Sequence, residues 1–192
     1  MKKVIEYINS VSPISNKTIT ELEAIFTFKK LKKDEIFIDN GIIAKKVGIL
    51  ESGIMRAFFI YNEGKEYNKH FYQAPCFIGG ISSLVSGQPN QIIQQALTDC
   101  ELWEADFSKL TQLYNKHPDL ERMIRILFQR AFIQKEQREL EIVLLNADKR
   151  YHLFKTQFPT MEQLIPQYHI ASYLGITPTQ LSRVRRGVAK SN

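Results

Sequence analysis

The chain has 192 residues, of which 44% are hydrophobic and 24% charged, a make-up that buries a sizeable core and excludes disordered, collagen-like and disulfide-scaffold classes. Its two cysteines, Cys76 and Cys100, are too few for a stapled secreted domain or for an iron–sulfur cluster with four thiolate ligands. The net charge of +6 is concentrated at one end: residues 147–192 hold seven basic against two acidic side chains, net +5, leaving +1 for the rest. Such a local excess points to an anionic partner, nucleic acid foremost.

Lys2 and Lys3 open the chain, but Glu6 and Lys17 leave no apolar run long enough for a signal peptide. The expected compartment is the cytoplasm, with no membrane partner. Between Val4 and Phe26 the residues Ile14, Ile19, Leu22, Ile25 and Phe26 recur at helical spacing. After Phe28 the period shortens, and segments 36–38, 47–50, 55–61, 67–72, 92–97 and 101–105 read as strands. Turn residues at 39–41, 52–53 and 62–65 join them. This spacing predicts a closed antiparallel barrel or jelly-roll over residues 1–117, and so an α+β fold.

Pro118 fits the first position of a helix, with Asp119 and Glu121 suited to its first turn. No glycine or proline follows until after Asn146, which predicts one helix over 118–146, roughly 40 Å long. Leu120, Ile124, Leu127 and Ala131 form one apolar stripe, and Met123, Phe128 and Phe132 widen it. The helix is read as packing partly on the roll and partly on a second copy of itself, through Leu120, Met123, Ile124, Leu127 and Ala131. A helix lying wholly across its own domain is the alternative.

The last segment, 147–192, is a helix-turn-helix domain by its local chemistry. Ile170, Ala171 and Leu174 form the inward face of a short helix, and Gly175 supplies the positive φ needed to leave it. Thr177 is an N-cap, Pro178 suits the first helical position, and Gln180 completes a capping box. Leu181 and Val184 return to the core, while Thr179, Gln180, Ser182, Arg183 and Arg186 project outward. The second helix can face phosphates with its N-terminal end and reach base edges with its outer side chains. Arg183 is the candidate for a bidentate contact to guanine, and Arg185, Arg186 and Lys190 for phosphates.

With these residues the chain resembles the bacterial family of the cyclic-AMP receptor protein and the fumarate–nitrate regulator (Crp/Fnr). Segments 49–56, 77–80 and above all 170–183 carry the resemblance, which spans nearly the whole chain. It implies a homodimeric transcription factor with a cyclic-nucleotide-binding-like β-roll as sensor. The long helix would be the dimer seam and the helix-turn-helix the reader of double-stranded DNA, with RNA polymerase a candidate partner. In this family the residue matching Arg183 commonly contacts bases, and those matching Pro178 and Thr179 lie at the reading edge; Thr177, Gln180 and Ser182 are further candidates to face DNA. A proline there removes one usual side-chain contact and alters the sequence preference.

The nucleotide pocket departs from the family pattern. The glutamate that would hold the ribose is Gly80, and the arginine and serine that would hold the cyclic phosphate are Asn90 and Gln91. From Phe71 to Thr98 no Asp, Glu, Lys or Arg occurs, and a desolvated phosphate without a cation is costly. The backbone at Gly79 and Gly80 still offers an anion nest. Two readings stay open: a roll filled by its own side chains, or a neutral effector lined by Phe77, Ile81, Leu84, Asn90 and Gln91.

No cofactor or metal is expected. His70, His117, His152 and His169 have no Cys or His partner at ligand spacing, and each reads as a surface or partly satisfied histidine. Cys76, beside a proline and an apolar run, reads as a buried thiol. No nucleophile elbow is present, and Gly64-Lys65 lacks the remainder of a phosphate loop, so no enzyme is expected. The alternative to a DNA reader is a sensor or protein-interaction module that has kept a vestigial helix-turn-helix and responds to a neutral small ligand.

Overall fold

A computed structural model describes residues 1–61 and 64–190, with side chains to Gly187. Asn62 and Glu63 of the third expected turn, and the side chain of Lys190, lie outside the described residues. The chain forms two compact units: residues 1–57 with 71–131, and residues 58–70 with the chain from 132 onward. The division cuts through two strands and the long helix.

The first unit opens with α1 (Lys2–Val11) and α2 (Asn16–Ile25). These are two helices rather than one periodic segment, because Ser15 caps the second, accepting a hydrogen bond from the Thr18 backbone N–H at 3.2 Å. The strands β1 (Thr27–Leu31), β8 (Cys100–Asp106), β3 (Lys46–Ser52) and β6 (Cys76–Gly79) make one sheet in that order. The second sheet runs β2 (Ile36–Ile38), β7 (Ile93–Ala96), β4 (Ile54–Tyr61), β5 (Lys65–Gln73). Two four-stranded sheets of this kind form the expected jelly-roll.

Between the sheets, Leu50, Met55, Ile78 and Leu102 pack with almost no exposure. Outside the first sheet, α1, α2, α4 (Phe107–Gln112) and the start of α5 (Pro118–Leu144) share another core built on Val4, Ile8, Leu22, Val47 and Leu110. Two positions of the anticipated turns require glycine or favour it. Gly53 has φ of 97°, and an added Cβ would lie 2.6 Å from the Asp99 carbonyl oxygen and the Cys100 sulfur. Gly41 has φ of 74° with open space around it.

A network of polar groups fastens the N-terminal helices to the first turn of α5. Asp119 accepts from the Ser15 backbone N–H at 2.7 Å and from the Thr18 hydroxyl at 2.9 Å. His117, buried, lies 2.9 Å from that hydroxyl through Nδ1 and 3.0 Å from Glu21 through Nε2. The His117 ring beside it holds Glu21 below the usual carboxylate range. Burial pushes Asp119 upward, but the hydrogen bonds from Ser15, Thr18 and Leu120 outweigh it and hold the carboxyl low.

The long helix has 27 residues and begins at Pro118, with Asp119 and Glu121 in its first turn. It stops at Leu144 because Asn146 caps the next helix, accepting from the Lys149 backbone N–H at 3.0 Å. Its first two turns correct the expected seam. Leu120, Met123 and Ile124 are at most 5% exposed and belong to the core of their own unit, so they are not free to meet a second copy. Leu127 is half-buried against that core and Ala131 is exposed.

The second unit contains the distal halves of β4 and β5, the rest of α5, α6 (Ala147–Gln157), α7 (Met161–Leu164), α8 (Gln167–Leu174) and α9 (Pro178–Lys190). Phe154 stacks on Phe158 and Tyr173, with centroids 5.5 Å and 5.9 Å away. Ile170, Ala171, Leu174 and Leu181 close the core beside them. Residues 58–70 meet α8 through main-chain groups: Ser172 Oγ accepts from the Asn68 N–H and donates to the Glu66 carbonyl, each at 2.9 Å. No helix among the described residues is long and apolar enough to cross a membrane.

Candidate nucleic-acid interface and roll cleft

The end of α8 and the start of α9 have the geometry their residues dictate. Gly175 sits at φ of 66°, directly after Leu174, and its N–H returns to the Ser172 carbonyl at 3.1 Å. Thr177 and Gln180 close a reciprocal capping box: the Gln180 N–H donates to Thr177 Oγ1 at 3.2 Å, and the Thr177 N–H donates to Gln180 Oε1 at 2.9 Å. The helix then starts at Pro178, with Leu181 and Val184 turned inward.

The outward residues differ in how free they are. Thr179, Ser182 and Arg183 are exposed, and Arg183 makes no hydrogen bond or ion pair among the described residues. Gln180 is committed in part, since its carbonyl oxygen is spent on Thr177. Arg186 lies along its own helix, donating to the Ser182 carbonyl at 3.3 Å. Arg185 is paired inside the unit: its Nε lies 2.8 Å from Glu162, whose carboxylate also accepts from the Tyr151 hydroxyl at 2.6 Å. Burial and that hydrogen bond push the Tyr151 hydroxyl up to about 12. Arg185 thus acts as a strut between α9 and α7, a partnership no local sequence pattern announces.

In the roll, Phe77 and Leu84 of the anticipated cleft pack on the core, and the Phe77 ring meets Phe128 of α5 edge-on at 6.2 Å. Gly80 follows β6 and precedes α3 (Ile81–Ser86). A Cβ on Gly80 would lie 3.2 Å from both the Ala44 Cβ and Asn90 Oδ1. A Cβ on Gly79 would meet Ile81 Cδ1 at 3.3 Å. Asn90 is buried and holds two main-chain carbonyls, donating from Nδ2 to Asp39 at 2.8 Å and to Ile92 at 2.6 Å. The two positions that the resemblance equips with a carboxylate and a guanidinium are therefore packed against each other. Gln91 is exposed beside them.

Two polar side chains of the roll escaped the sequence reading. Gln94 is 2% exposed and donates from Nε2 to the Gly79 carbonyl at 2.8 Å, and its Oε1 is buried without a partner among the described residues. Arg56 is 4% exposed and donates from Nε and Nη2 to Gln95 Oε1 at 2.8 Å and 2.6 Å. Only their burial distinguishes them, and burial of a single polar residue in a strand leaves no periodic signal.

The histidines are less superficial than their spacing suggests. His117 and His169 are buried, the latter beside the Asn68 amide, and His152 is exposed. Desolvation, reinforced by Lys69 and Arg138, pushes His70 down to about 4. Among the described residues no group of three or more His, Cys, Asp or Glu could hold a metal ion. Cys76 is half-buried rather than fully buried, and desolvation, with Cys100 nearby, pushes its thiol up to about 12.

Residues 28–117 match the family described as cyclic nucleotide-binding domain. Over 167 residues the chain is 26% identical to the transcriptional activator protein anr of Pseudomonas aeruginosa, spanning 81% of this chain and 68% of that one. Its fold is similar to FixK2 from Bradyrhizobium japonicum, with a TM-score of 0.77 at 17% identity over 87% of this chain and 86% of that one. It is also similar to a CooA mutant from Carboxydothermus hydrogenoformans, with a TM-score of 0.72 at 18% identity over 98% of this chain and 85% of that one. The domain match, the fold likeness and the similarity to a transcriptional activator agree with the resemblance of the chain to the Crp/Fnr family of transcription regulators.

Proposed function

We propose that this regulator is a cytoplasmic homodimer, and not an enzyme, that reads a roughly palindromic site in double-stranded DNA through α9. The carrying observation is the capped helix α9, which holds Arg183 exposed and without a partner among the described residues. An arginine so placed reaches guanine O6 and N7 in the major groove, while the helix N-terminus faces phosphate. Thr179 and Ser182 flank it on the outer face, and Arg186 needs only to leave the Ser182 carbonyl to meet the backbone.

Dimerisation is supported by the distal part of α5, where the apolar residues are uncovered. Ile133, Leu140 and Leu144 are 52%, 58% and 72% exposed. With Ile126 they follow steps of seven, seven and four, the spacing of a coiled-coil seam. This stripe replaces Leu120, Met123 and Ile124, which their own core consumes. RNA polymerase is the partner an activator of this family would engage.

The roll is read as filled, without affinity for cyclic AMP or cyclic GMP. The absence of Asp, Glu, Lys and Arg from 71–98 and the packing of Gly80 on Asn90 support this. One observation favours a second reading, a roll with a neutral effector: the buried Gln94 Oε1 is an acceptor that a neutral donor could satisfy.

Selection of genomic fragments by the purified ligand-free protein tests the leading reading, with Arg183→Ala as control. The expected result is a symmetric motif that the control loses. A folded dimer that enriches nothing over random DNA, alone and in cell extract, overturns it.

A further inference from the structure

Two helices of the second unit end at the same place, and that convergence needs a cation. The last four carbonyls of any helix lack intrahelical partners and carry the negative end of its dipole. α5 ends at Leu144 and α8 at Leu174. Arg150 of α6 lies between them. Its Nη1 donates to the Leu145 carbonyl at 2.6 Å and the Ile142 carbonyl at 3.2 Å, and its Nε donates to the Leu174 carbonyl at 3.0 Å. Arg138, from α5, supports the same joint. It donates to the Tyr173 carbonyl, stacks over the Tyr173 ring at 4.0 Å and pairs with Glu141 at 3.1 Å.

The turn into α9 begins at the next residue, Gly175. Whatever fixes the end of α8 on the end of α5 therefore fixes where the reading helix points from the seam. A guanidinium is a planar fork whose donors diverge at set angles, so one group bonded to both helix ends holds their angle as well as their distance. A lysine ammonium would supply the charge without the angle.

We propose that Arg150 is a positioning residue that sets the separation of the two DNA half-sites. The proposal rests on the dimeric DNA reader described above. It distinguishes Arg150 from residues that read bases: it touches no DNA, and its loss should leave half-site sequence preference intact.

The test uses the full chain and a library of paired wild-type half-sites separated by spacers of graded length. Wild-type protein should enrich one spacer. Arg150→Lys should enrich several neighbouring spacers and lose the contrast between best and next by roughly 10-fold, the scale of one charge-assisted hydrogen bond. Base preference within each half-site should not change. Arg138→Lys, which leaves Arg150 in place, should broaden the profile in the same direction, and it carries the test if Arg150→Lys does not fold. A uniform loss of affinity at every spacer, or an unchanged profile, would overturn the proposal while leaving the DNA reader standing. Absence of any symmetric motif with wild-type protein overturns the reader, and this inference with it.

Discussion

Truncation of Leu140 to alanine isolates the dimer seam from the fold. Leu140 is 58% exposed in the single chain, and the proposed seam would bury it against a second copy. Complete burial of a leucine side chain stabilises by about 1.5–3 kcal/mol, and the uncovered share is worth about 1 kcal/mol. A two-fold interface counts the residue twice, giving about 2 kcal/mol, or roughly 30-fold in the dimer dissociation constant. Sedimentation equilibrium over a dilution series measures this directly, and the melting temperature of the variant at high dilution should match that of wild type. Met123→Ala makes the opposite prediction. Met123 is 2% exposed within its own core, so truncation should cost about 2–5 kcal/mol of folding stability and leave the seam untouched. An unchanged dissociation constant for Leu140→Ala, or a weakened dimer with unaltered stability for Met123→Ala, would refute the assignment of the seam to the distal helix.

Arg185→Ala should lower the melting temperature by releasing Glu162 and Tyr151, yet leave the salt dependence of DNA binding unchanged. A phosphate contact would instead reduce the slope of log K against log salt by about 0.9, and binding titrations across salt concentrations separate the two. Gly80→Glu should destabilise the roll by about 1–3 kcal/mol through crowding against Ala44 and Asn90. It should create no cyclic-nucleotide site, and calorimetric detection of tight cyclic AMP binding would contradict a filled cleft. His70 is held near 4 in the folded chain against an ordinary 6.5, so the unfolded chain takes up the proton first as pH falls. The stability associated with a neutral His70 is present above pH 6.5 and is lost progressively toward pH 4. Chemical denaturation across that window should show a slope that His70→Gln flattens; an equal slope in the variant would place the titration elsewhere.

The sequence exposed most clearly those features whose causes are local. Pro118, Gly175 and the Thr177–Gln180 pair mark helix boundaries by short-range backbone chemistry, and the boundaries follow them. The strands β1 and β6 carry weak sequence signals for equally local reasons. β1 is a lysine-bearing edge strand of which only Leu31 is buried, and β6 has four residues, too few to display alternation. α3 and α4, six residues each, are under two turns.

Non-local facts were out of reach. Periodicity identified a broad apolar face on α5 without saying which part its own core would claim. The ion pair of Arg185 with Glu162 joins positions in different helices, and nothing in the outward period of α9 reveals it. Asn90 looked like a ligand-facing amide because its real partners, the Asp39 and Ile92 carbonyls, are main-chain groups.

The clasp between Asn68 and Ser172 has a consequence for how the protein is made. The two residues stand 104 positions apart, so the hairpin emerges from the ribosome well before the helix that receives it. At about 5–20 residues per second, the intervening chain takes on the order of 5–20 s to synthesise. The second unit therefore completes its fold after translation of α8, and a fragment begun at Phe132 would contain α8 and α9 but lack the strands that α8 closes upon.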